Sequence, residues 1–149
     1  MEKIDRIEST AVQNISKVQN TPQNKPVSET FRGKLEEIRQ ENIREELKIL
    51  YDKIEAISSR LKEKLFIEDL LEYKRTVREF LNITINNSHI FYKENSLDRR
   101  GRHRVYSLVK KVDNELDELT RDFLNIEKNR IKILKRLDDI RGMLIDILT

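Results

Sequence analysis

Side chains that could do chemistry are thinly spread along this sequence, with one exception. Arg99, Arg100, Arg102, Arg104, Lys110 and Lys111 fall between positions 99 and 111, a stretch that holds no carboxylate. Cations at this density attract anions, either the phosphates of a nucleic acid or the carboxylates of an acidic protein surface. Outside the stretch acidic residues slightly outnumber basic ones, so the formal net charge of +3 and the isoelectric point near 9.1 trace to this one region. The simplest expectation is internal: the arginines pair with acid-rich runs on the surfaces of adjacent helices. The functional alternative is an anionic partner held by these six residues. No recognised nucleic-acid motif frames them, so any nucleic-acid binding is expected to be weak and without base preference.

A catalytic or metal centre needs several polar groups converging on one point, and little here converges. There are two histidines, His89 and His103, and no cysteine. Neither histidine falls in a Glu-x-x-His or His-x-x-x-His pattern. Glycine-rich phosphate loops and Gly-x-Ser-x-Gly elbows are missing. The carboxylates of NELDEL (114–119) and of LDDIRG (137–142) alternate with Leu or Ile at helical spacing, as a solvated helix face does. Tyr51, Tyr73, Tyr92 and Tyr106 are expected at the rim of the core. The expectation is therefore a non-enzymatic protein with no cofactor and no metal, acting through a protein partner or, alternatively, as a nucleic-acid-associated accessory protein. The lack of cysteine suits a reducing cytoplasm. No apolar run approaches the length needed to span a bilayer, and the first residues lack the apolar centre of a signal peptide, so no membrane role is expected.

The elements that position these groups are helices. Charged residues make up 38% of the 149 residues, with three glycines and two prolines, a balance that favours long amphipathic helices in one domain. Residues 1–28 hold both prolines and no sustained apolar period, which predicts a flexible tail ahead of a single domain over 29–149. Ile43, Leu47, Leu50, Ile54, Ile57 and Leu61 then follow steps of four and three, the stripe of one buried helix face. Phe31, Leu35 and Ile38 lie out of phase with that stripe, so the first turns either bend away or present a second face to another subunit in a homo-oligomer. Further apolar periods predict an all-α, antiparallel up-and-down bundle of four helices at about 29–64, 67–95, 104–126 and 129–148. The last two are either separate, broken within NIEKNR (125–130), or one long kinked helix. Gly142, inside the last stripe, is explained either by a close helix crossing or by chance.

Three stretches, YKRTVREFL (73–81), GRHRVYSLVKKVDNELDEL (101–119) and IRGMLIDILT (140–149), together resemble the YaaR-like family of small bacterial cytoplasmic proteins. The resemblance covers roughly the last two thirds of the chain and leaves the N-terminal tail out. It implies a helical bundle, as the periodicity does, and brings no assigned biochemical activity.

Overall fold

The computed structural model describes residues 25–90 and 99–149, with side chains over 29–90 and 101–149. Every regular element among the described residues is helical: α1 (Lys25–Glu63), α2 (Ile67–Asn86), α3 (Arg99–Asp122) and α4 (Ile126–Leu148), with short 3-10 turns at Ser88–Ile90 and Phe123–Asn125. The chain divides into two compact units, Met1–Glu41 and Asn42–Thr149. In the first, residues 1–24, most of the expected tail, lie outside the described residues. Helix α1 already begins at Lys25, and Pro26 is compatible with that start because a first-turn residue needs no intrahelical N–H. Phe31, Leu35 and Ile38 are all exposed.

The second unit is the bundle. Ion pairs trace its four sides in turn. Arg60 on α1 grips Asp69 and Glu72 on α2, at 3.7 and 2.9 Å. Arg78 on α2 reaches Asp113 and Asp117 on α3, and Arg136 on α4 reaches Glu115 and Asp122. Lys62 and Glu55 on α1 close the ring with Asp138 and Arg141 on α4. A second contact on each side fixes the direction: Arg44 reaches Ile90, Ser88 lies against Tyr106, Asn129 bonds Asp122, and Glu55 joins Arg141 where Lys62 joins Asp138, so one partner's number rises as the other's falls and neighbouring helices are antiparallel. Inside lie the whole Ile43 to Leu61 stripe and its counterparts, Val77 and Phe80 on α2, Val112 and Leu116 on α3, Ile140 and Leu144 on α4.

Local sequence explains where each helix stops. Arg60 and Lys62 stand in the last turn of α1 and Glu68 and Asp69 in the first turn of α2, each sign opposing the helix dipole at its end. Helix α2 closes at Asn86, short of the expected limit near 95, because the next residue competes for its backbone: the Asn87 side-chain amide donates to the Ile83 carbonyl at 2.9 Å. Ile90 then turns into the core, and Arg44 on α1 donates to its carbonyl. Residues 91–98 lie outside the described residues. Helix α3 begins at Arg99, ahead of the expected 104, and carries Gly101 within its first turn.

The last two helices are separate. In one continuous helix Glu115 and Arg136 would stand about 30 Å apart, yet Arg136 Nη1 donates to Glu115 Oε2 at 2.9 Å. The chain reverses at Asn125, whose φ of −142° and ψ of 83° leave the helical region. No glycine or proline is needed, because two asparagines satisfy the broken ends. The Asn125 side chain accepts from the Lys128 N–H, and the Asn129 side chain donates to the Asp122 carbonyl.

One of the two explanations of Gly142 falls away, and Tyr73 differs from expectation. Gly142 is exposed, and an added Cβ would meet nothing within 4 Å, so no close crossing requires it. Tyr73 is a core residue, 1% exposed, where a rim position was expected. It falls three residues after Leu70 and four before Val77, and this spacing places it on the buried face. Burial, reinforced by Glu55 and Asp138, pushes its phenol well above the usual tyrosine value. The unfolded chain loses this proton near pH 10 while the folded chain keeps it. The corresponding stability is whole below pH 10 and drains away as pH rises from there toward the folded value. Alkaline unfolding monitored by circular dichroism should therefore steepen above pH 10 in the parent by about 1.4 kcal/mol per pH unit relative to Tyr73→Phe.

Candidate anionic-partner interface

The apolar register of α3 decides which way its cations face. Val105, Val109, Val112, Leu116 and Leu119 follow steps of four and three, and all are buried. Arg102, His103, Arg104, Lys110 and Lys111 are consequently exposed. Arg104 and Lys111, seven residues apart, share one line along the helix, separated by roughly 10 Å of rise. His103 and Lys110 form a second line beside it. Arg99 and Arg100 supply backbone to the first turn of α3, and their side chains lie outside the described residues. Tyr106 is 43% exposed between Arg102 and Lys110 on the same side of the helix, its hydroxyl 3.4 Å from Ser88 Oγ.

The carboxylates further along α3 itself are already engaged elsewhere. Asp113 and Asp117 face Arg78, at 3.8 and 3.4 Å. Glu115 and Asp122 hold Arg136, at 2.9 and 2.6 Å, and Glu118 holds Arg121 at 2.9 Å. Every carboxylate from Asp113 to Asp122 is thus committed to a cation outside the basic stretch. Arg104, Lys110 and Lys111 make no ion pair among the described residues. Positive charge is therefore left facing solvent, at a helix start with no acidic residue in its first turn.

Other chemistry is sparse. No group of three or more His, Asp or Glu side chains suited to a metal ion occurs among the described residues. An open groove on the outer side of α2 is lined by Leu71, Lys74, Arg75, Arg78 and Glu79 with Glu46 of α1, charges of both signs around a shallow floor. No helix among the described residues is long and apolar enough to cross a membrane.

A second cationic segment escapes a block-wise reading of charge. Lys128, Arg130, Lys132, Lys135 and Arg136 stand against Glu127 alone between positions 126 and 136. Counting over 112–149 averages this surplus against the carboxylates on either side, whereas a window of one or two helical turns reveals it. Arg136 turns inward, with its side chain 18% exposed. The other four point to solvent or its edge.

A family model described as "Protein of unknown function (DUF327)" matches residues 4–148. The chain belongs to this family. The match begins at residue 4, so the DUF327 family extends into the N-terminal stretch that the three resembling motifs leave out. Among its relatives is the "Uncharacterized protein YaaR" of Bacillus subtilis (strain 168), 31% identical over 105 residues that cover 70% of this chain and 72% of that protein. No solved structure matches the chain. Membership of the DUF327 family fixes kinship and assigns no biochemical role.

Proposed function

We propose that the chain is a cytoplasmic, non-enzymatic interaction module that holds an acidic protein surface on the outer face of the first half of α3. The observation that carries this reading is the commitment of every carboxylate from Asp113 to Asp122 to Arg78, Arg121 or Arg136, while exposed Arg104, Lys110 and Lys111 stay unpaired among the described residues. Cations left unneutralised on a rigid helix need no rearrangement to meet a carboxylate surface, and such pairs govern encounter rate and selectivity. The first half of α3 is held by its core valines, so the cations keep a fixed spacing.

A nucleic acid is the second reading, favoured by Tyr106 lying exposed between Arg102 and Lys110, since a ring among cations can stack a base. Capture on the immobilised full chain separates the two. Nuclease-treated lysate should yield a protein retained by the parent and lost by Arg104→Gln/Lys110→Gln/Lys111→Gln, whose melting temperature should match the parent's because exposed charges contribute little to stability. Retained material that disappears on nuclease treatment moves the nucleic-acid reading to first place. Equal retention by parent and triple variant would show that this face of α3 does not hold the partner.

A further inference from the structure

Two short stripes on different helices of the Asn42–Thr149 unit complement each other in step, charge and apolar content. One is Glu45, Ile49 and Asp52 on α1, and the other is Lys128, Ile131 and Lys135 on α4. All six residues are exposed. Ile49 is 64% exposed and Ile131 85%, an open setting for large aliphatic side chains. Neither isoleucine belongs to its helix's core stripe, which runs through Leu47 and Leu50 on α1 and through Ile133 and Leu137 on α4. The four charged side chains make no ion pair among the described residues.

The spacing decides how these stripes fit. The acidic stripe steps by four and then three, the basic one by three and then four. With the two helices side by side in the same direction and Ile49 against Ile131, Glu45 comes level with Lys128 and Asp52 with Lys135, each within one residue's rise of about 1.5 Å. The flanks agree as well. At the angular step of an α-helix both carboxylates fall on one side of Ile49 and both lysines on the opposite side of Ile131, and parallel helices bring such opposite flanks together. Within one chain α1 and α4 run antiparallel, as the pairs Lys62 with Asp138 and Glu55 with Arg141 require. A parallel pairing of these stripes therefore needs a second copy.

We propose that the two stripes form a self-association site, in which the Glu45–Ile49–Asp52 face of one copy packs alongside the Lys128–Ile131–Lys135 face of another. The site uses none of the residues between 99 and 111 and leaves the outer face of α3 open. Each copy carries one acidic and one basic half, so two copies exchange both contacts or pass them along a row.

Sedimentation velocity on the full chain over a wide concentration range tests the proposal. The parent should associate reversibly, and more weakly as salt is raised. Glu45→Lys/Asp52→Lys and Lys128→Glu/Lys135→Glu should each self-associate at least about tenfold more weakly, because like charges then meet across the contact. An equimolar mixture of the two double variants should associate again, since each restores the charge the other has lost. Ile131→Ser, which leaves every charge in place, should weaken association as well. Circular dichroism should show parent-like melting for all of these exposed substitutions. A parent that stays monomeric throughout, double variants that associate as the parent does, or a mixture that stays apart would each overturn the proposal.

Discussion

A chain carrying Leu116→Asp is expected to lose its cooperative thermal transition and most of its helical circular dichroism at room temperature. Leu116 is 0% exposed in the second half of α3, in the core shared with α1, α2 and α4. The substitution forfeits the burial of a leucine, about 1.5–3 kcal/mol. It also places a carboxylate where no cation is arranged to meet it. The sum reaches several kcal/mol against a total of about 5–15 kcal/mol for a domain of this kind. Leu50→Asp acts on the facing side of the bundle, at a position 8% exposed, from which the aspartate can turn partly to water. It should lower the melting temperature clearly and by less than Leu116→Asp. If both variants melted like the parent, the assignment of the core face would be wrong.

Arg136→Met should be the most damaging change outside the apolar core. The guanidinium donates to Asp122 Oδ2 at 2.6 Å and to Glu115 Oε2 at 2.9 Å, with side-chain exposures of 18% for Arg136 and 8% for Asp122. The hydrogen bond to Asp122, more than any other influence, raises the basicity of the guanidinium, so it stays charged at every ordinary pH. Its removal leaves the Asp122 carboxyl buried without its cation beside the turn where α3 hands over to α4. A charged hydrogen bond lost in a mostly buried setting costs about 2–3 kcal/mol. Chemical denaturation should show a loss of that size, and the double variant Arg136→Met/Asp122→Leu should recover much of it because no buried charge then lacks a partner. A double variant no more stable than Arg136→Met alone would mean that the methionine fits badly and that the ion network contributes little.

The parts of the fold legible in the sequence were those written in local spacing. Ile43 to Leu61 alternate by four and three, and only a helix buried along one face satisfies that pattern. The turn at Asn125 was marked by the asparagines of NIEKNR, although their separate tasks, one capping α4 and one closing α3, depend on backbone geometry that spacing does not encode. Tyr73 shows the opposite case. Its hydroxyl suggests the rim, while its register with Leu70 and Val77 places it inside, and register prevailed. The basic cluster was evident from composition, but whether its cations were neutralised was not. That depended on Arg78 and Arg136, which reach the carboxylates of α3 from neighbouring helices and so claim the partners first. The stripe on α4 was hidden for a different reason, since opposite charges in adjacent turns cancel in any long window while remaining distinct on the surface.

The proposed function requires the outer face of α3 from Arg102 to Lys111 to receive an anionic partner. Amide chemical-shift mapping of the full chain during titration with a glutamate-rich peptide tests it most directly. Perturbations should concentrate on the amides of residues 101–112, fade as salt is added, and vanish in Arg104→Gln/Lys110→Gln/Lys111→Gln. Perturbations that spare this segment, or that persist undiminished in the triple variant, would contradict it.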